Sequence, residues 1–238
     1  MMGMRSQARH RWIPLFALSV LTGCAGLLHG GRGGSARGPL PTGKALSALT
    51  RAECRQLLTA RGVAFEDVPW SAARGIEIPI RLGGELNGLN WRAPSEPQSA
   101  SFLDCRLAVS LLRWTERLRA GGVSELVALS LYRPYARVQR LGTSSGHAHG
   151  LAIDVGRLVL RGGEVLDVEK TWTDKRRGVP PCPSRDGEAA GQRQLRSLIC
   201  AAVDEHLFQV VLTPHADADH HNHVHLEVRP DLTTPCIR

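Results

Sequence analysis

The chain is predicted to fold as an α+β domain, with one central, mainly antiparallel sheet flanked by helices. Strand-like and helix-like stretches are partly segregated, and neither a βαβ rhythm nor an internal repeat runs through the 238 residues. The length behind the N-terminal segment suffices for one substantial core, so a single domain is expected.

Residues 1–23 do not belong to that core. Arg5, Arg9 and Arg11 precede the apolar run Trp12-Ile-Pro-Leu-Phe-Ala-Leu-Ser-Val-Leu21, which has the layout of a secretory signal peptide. The run is shorter than the roughly 20 residues of a membrane-spanning helix. Residues 24–44, with Gly30-Gly-Arg-Gly-Gly-Ser-Ala-Arg-Gly-Pro-Leu-Pro-Thr-Gly43, have the composition of a flexible tether. The folded domain is expected over 45–238.

Within it, Thr50 caps a short helix that stops at Gly62. Residues 76–92 alternate apolar and polar positions around Gly83-Gly84, which predicts strands about a turn. Residues 101–119 place Leu103, Leu107, Leu111, Trp114 and Leu118 on one helical face. Glu125 to Tyr132 is a predicted strand. Leu151–Leu160 and Glu164–Val168 read as a pair joined by Arg161-Gly-Gly163. A polar insertion over 171–188 and a helix over 189–207 follow. Gln209–Leu212 and Val224–Val228 close the sheet.

Charge and cysteines set the surroundings. The formal net charge is +8 and the pI about 9.7. No basic helix or aromatic-basic repeat accompanies that charge, so an anionic envelope is the expected neighbour and nucleic acid is not. An exported chain with Cys54, Cys105, Cys182, Cys200 and Cys236 behind Cys24 is expected to form two bridges and leave one cysteine over. Cys182, in a proline loop, faces Cys200 on the following helix and is the first pairing expected. Spacing leaves the second open among Cys54, Cys105 and Cys236.

The chemistry concentrates in two histidine-rich stretches. Ten histidines are present, and seven are His147, His149, His215, His220, His221, His223 and His225. Neutral imidazole and carboxylate are standard zinc ligands, and three of them leave the open position that hydrolytic zinc needs. Gly150 and Ala152 let Asp154 come back toward His147. His223 and His225, two apart on a strand, face one side, so one can ligate while the other remains free for proton transfer.

Two stretches carry resemblances. Leu21-Thr22-Gly23-Cys24 resembles the bacterial lipobox, which implies lipid on Cys24 and, with Ala25 behind it, anchoring in the outer membrane facing the periplasm. Ser145-Gly-His147-Ala-His-Gly150-Leu-Ala152-Ile-Asp154 fits Ser-x-His-x-x-Gly-x-Ala-x-Asp at every fixed position. With His223-Val-His225 it resembles the zinc-peptidase clan of D-alanyl-D-alanine carboxypeptidases, lysostaphin-type endopeptidases and hedgehog domains. The layout from Cys54 to Glu227 is most similar to the bacterial extensin-like C-terminal family.

That resemblance implies one zinc ion on His147, Asp154 and His225, with His223 as an active-site histidine. Leu131-Tyr132-Arg133-Pro134, followed by Gln139, is similar to the clan's Gly-Tyr-Arg-Ser segment and makes Arg133 a candidate clamp for a carboxylate or oxyanion. Carboxypeptidases of the clan carry an acidic base three residues before the last ligand, where this chain has Asn222. An amide does not accept that proton, so the work falls to a histidine, His223 or else His221, or the site holds metal without turnover. His149 reads as a supporting or surface residue, and Glu227 as a strand residue facing solvent. The expected protein is a monomeric, envelope-anchored zinc metallopeptidase acting on peptidoglycan peptides. The alternative is a zinc-stabilised module that binds cell wall or protein.

Overall fold

The computed structural model describes residues 38–238 except 95, 139–141, 183–184, 230–231 and 233–235. The expected signal peptide, Cys24 and most of the tether therefore lie outside the described residues, as does Gln139.

Helices α1 (Gly43–Ser47) and α2 (Arg51–Ala60) come first. Thr50 caps α2 in a reciprocal box with Glu53, satisfying two backbone N–H groups that a helix start leaves without partners. Strands β1 (Phe65–Asp67) and β2 (Pro79–Leu82) pair with β5 (Phe102–Asp104) in a small antiparallel sheet of order β1-β2-β5. The hairpin expected about Gly83-Gly84 is thus differently arranged. β2 joins the small sheet, and the tight turn is Asn87-Gly88, both with positive φ, between β3 (Glu85–Leu86) and β4 (Leu89–Arg92). Asn-Gly suits such a turn because its twist matches the flanking strands.

Helix α3 (Cys105–Ala120) begins later than expected, since Phe102 to Asp104 are strand. Its cap is Asp104, whose carboxylate accepts from the N–H groups of Arg106 and Ile78 at 2.9 and 3.1 Å and pairs twice with the Arg106 guanidinium. Asp104 and Arg106 are buried. Removing Arg106 would leave the buried Asp104 carboxylate without its cation, at a cost of about 3–5 kcal/mol.

The main sheet runs β11-β9-β10-β7-β6-β4-β3, with β8 also paired to β7. Its members are β6 (Val123–Ser130), β7 (Ala152–Leu160), β8 (Val165–Asp167), β9 (Val210–Leu212), β10 (Val224–Glu227) and β11 (Cys236–Ile237). Only β4–β6 and β11–β9 are parallel, so the mainly antiparallel α+β expectation holds. α4 (Val168–Thr171) and α5 (Ala190–Asp204) complete the elements.

Apolar residues from the sheet, α3 and α5 form one core, in which Trp114 donates to the Leu198 carbonyl at 3.0 Å and meets Phe208 edge-on. Leu40, expected in the tether, is buried there, and its carbonyl accepts from Arg113 at 2.9 Å. The packed domain therefore starts ahead of Ala45. Cys182–Cys200 is bonded as expected, Cys54–Cys105 is the second bridge, and Cys236 is free. Among the described residues, no helix is long and apolar enough to cross a membrane.

Candidate metal centre

Register brings the centre together. β10 runs antiparallel to β7 with His225 opposite Asp154, so the two side chains are direct cross-strand neighbours. On the other edge of β7, Ser130 opposes Asp154 across two register shifts. Irregularities of this kind re-aim side chains beside functional sites.

His147 arrives from a 3-10 turn, Gly146–His149, capped by the Ser145 hydroxyl. The glycines of the motif serve close approaches. Gly150 is left-handed, and a Cβ on it would stand 2.8 Å from the Asp104 nitrogen and from Ile76 Cδ1. The Gly150 carbonyl in turn accepts from Asp104 N at 2.8 Å, tying the turn to the start of α3. A Cβ on Gly146 would fall 2.4 Å from the Glu227 carboxyl carbon, so the glycine makes room for that side chain.

Three atoms converge. His147 Nε2 lies 3.1 Å from Asp154 Oδ1 and 3.2 Å from His225 Nδ1, and His225 Nδ1 lies 3.0 Å from the same oxygen. All three residues are buried. Ligands about 2.0–2.1 Å from a tetrahedral zinc stand roughly 3.3–3.4 Å apart, close to this triangle.

The outer partners decide where the protons sit. His147 Nδ1–H donates to the Leu131 carbonyl at 2.5 Å, which leaves Nε2 its lone pair. His225 Nε2–H donates to Glu227 Oε2 at 3.0 Å, which directs Nδ1 inward. Three electron-rich atoms within hydrogen-bonding distance of one another need either a proton or a cation between them. Hydrogen bonds of this outer kind are what orient metal-binding histidines. The three side chains can therefore hold a metal ion.

Without an ion, a proton takes that place. Burial disfavours charge on His225, but its hydrogen bonds to Asp154 and Glu227 outweigh burial and push its pKa up to about 9. Burial likewise opposes ionisation of Asp154, yet hydrogen bonds from His147 and His225 hold it well below the usual carboxylate range.

His223 lies just before β10 and outside the triad, with Nε2 3.4 Å from Asp154 Oδ1. Its Nδ1–H donates to the Asn222 amide oxygen at 2.8 Å, which turns the Nε2 lone pair toward the centre. Burial, helped by repulsion from His220, His225 and His147, pushes its pKa down to about 4. Arg133 is half exposed and reaches Asp154 Oδ2 at 3.6 Å.

Glu227 overturns its expected role as a solvent-facing strand residue, for it is buried and anchors His225. All four β10 residues are buried, Val224 and Leu226 in the apolar core and His225 and Glu227 against the His147 turn, so no face alternates. His220 also went unassigned by sequence. Its ring lies 5.1 Å from that of His223 and 5.9 Å from that of His225, held by Asp217 at 2.6 Å. The Asp217-x-x-His220 spacing was the available signal. Other histidines lie elsewhere. His221 is exposed and bonded to the Ala218 carbonyl, His149 reaches the Gly75 carbonyl, and His215 packs on Trp172.

Fold and site together define an α+β domain with a buried His-Asp-His centre able to hold a metal ion. Residues 52–236 match the family described as Extensin-like protein C-terminus, and the chain belongs to that family. No curated protein and no solved structure matches it.

Proposed function

We propose that the protein is a zinc-dependent peptide hydrolase of the cell envelope, acting on peptidoglycan peptides and tethered by lipid on Cys24 in the outer membrane. The observation that carries this reading is the convergence of His147 Nε2, Asp154 Oδ1 and His225 Nδ1, each with its proton or charge arranged so that an electron pair points inward. Held by His147, Asp154 and His225, a zinc ion would polarise a carbonyl and acidify water. Two histidines and one carboxylate are an apt donor set, and the likeness to the zinc-peptidase clan favours the same ion.

The chain's own residues supply the rest. Asn222 holds Nδ1–H of His223, so Nε2 presents its lone pair to accept a proton from the attacking water. Arg133, which reaches Asp154 Oδ2 at 3.6 Å, clamps the carboxylate or carbonyl oxygen of the substrate. The net charge of +8 suits an anionic wall.

A second reading, a metal-stabilised module that binds wall or protein without turnover, is favoured by Asn222, which offers an amide where related carboxypeptidases offer a carboxylate. Incubating zinc-loaded protein with purified peptidoglycan and weighing released muropeptides beside a His147→Ala control separates the two. Zinc-dependent loss of terminal D-alanine or of cross-links is expected. Identical digests with a tightly held ion would establish the module instead.

A further inference from the structure

A cavity of about 310 Å³ is lined on one side by Ala148 and His149, the residues that follow His147. Its other walls include Arg74, Gly75, Tyr135 and Arg137. It is therefore continuous in sequence with both functional segments. The turn that carries Arg133 toward Asp154 goes on to present Tyr135 and Arg137 to the cavity, and it is laced to the metal-site turn by Arg133 N–His147 O at 3.1 Å and Ser145 N–Ala136 O at 2.9 Å.

Three features mark this cavity as built. Gly75 has φ +90, and a Cβ there would stand 2.8 Å from the Ala148 carbonyl, so the floor closes only with glycine. The Arg74 and Gly75 carbonyls are held by the Tyr132 hydroxyl at 2.8 Å and by His149 at 3.0 Å, which fixes the backbone that carries Arg74. Tyr135 is 79 % exposed at φ +66, a backbone state that bulky residues rarely adopt. Residues held in such backbone states cluster at active sites and ligand clamps.

The electrostatics are one-sided. Among the described residues, no acidic side chain lines the cavity and neither Arg74 nor Arg137 has an ion-pair partner. Arg137 spends one N–H on the Gly142 carbonyl at 2.8 Å, and a guanidinium carries five.

We propose that this cavity is a substrate subsite that takes a second, non-terminal carboxylate of the stem peptide on Arg74 and Arg137, with Tyr135 as an apolar wall. This rests on the hydrolase reading for the identity of the peptide, while Arg133 remains the clamp nearer the centre. Recognition by two guanidinium groups makes a free carboxylate the preferred ligand over its amide.

The test is direct binding, measured on the full chain in detergent, zinc-loaded and carrying His223→Ala so that turnover does not consume the probe. The probe is a fluorescent stem pentapeptide whose γ-linked D-glutamate has a free α-carboxylate, compared with the same peptide amidated there. Arg74→Ala with Arg137→Ala is expected to raise Kd for the free acid at least tenfold and leave that for the amide unchanged. Tyr135→Gly removes the ring and relieves the backbone, and is expected to weaken the binding of both probes without lowering Tm. Absence of binding, or a Kd indifferent to amidation and to the arginines, overturns the subsite. Binding as expected, with no cleavage by the chain retaining His223, overturns hydrolysis alone.

Discussion

Glu227 accepts from His225 Nε2 at 3.0 Å, and that contact determines which nitrogen of His225 faces Asp154. Glu227→Gln replaces a charged acceptor by a neutral one of the same shape. Metal affinity, read by competition with a chelator, is expected to fall about 10–100-fold. Gly146→Ala should act in the same direction, because its Cβ would meet the Glu227 carboxyl group at 2.4 Å. Unchanged affinity in both variants would remove Glu227 from the account.

His225→Ala is expected to lose both metal and hydrolysis, whereas His223→Ala should keep the metal and lose hydrolysis. Metal content by mass spectrometry and muropeptide release decide the matter. Loss of metal from both would contradict the division of roles, since His223 stands outside the converging triad.

Stability should depend on pH differently with and without metal. The raised His225 pKa contributes stability that is fully present below its unfolded value near 6.5 and is lost as pH rises through about 9. His223, whose pKa is lowered to about 4, makes its contribution in full above 6.5 and adds no slope in this window. A divalent ion held by the three side chains would replace the His225 proton. The gap in Tm between metal-loaded and metal-free protein should therefore widen between pH 6.5 and 9, as calorimetry at several pH values would show. A constant gap would contradict the assignment of that proton.

Gly150→Ala places a Cβ at φ +63 against Asp104 N and Ile76. Strain in that region costs of order 1–3 kcal/mol. Urea unfolding should show a loss of at least this size, together with weaker metal binding, because the same glycine sets the turn that carries His147. Retained stability would mean that the turn shifts freely.

Much of this was legible in the sequence. Ser145 to Asp154 could be read because glycine, small residue and ligand follow one another locally, and His223-Val-His225 because its two histidines are close, but which of the two joins the triad came from the resemblance to the zinc-peptidase clan and not from spacing. Glu227 was misjudged for a physical reason, since period-two alternation presumes one solvated face and β10 has none. The hairpin about Gly83-Gly84 failed because β2 found partners in β1 and β5, a pairing that no local pattern announces. The Cys54–Cys105 bridge joins α2 to the start of α3 across 51 residues, beyond the reach of spacing arguments, whereas Cys182 and Cys200 are 18 apart and were paired at once.

In the proposed centre, His147 Nε2, Asp154 Oδ1 and His225 Nδ1 share one metal ion. Crystals of the zinc-loaded protein, measured on either side of the zinc absorption edge, test it most directly. One anomalous peak about 2.0–2.2 Å from each of these three atoms is expected. A peak elsewhere, or an empty triad in protein that carries zinc, would contradict it.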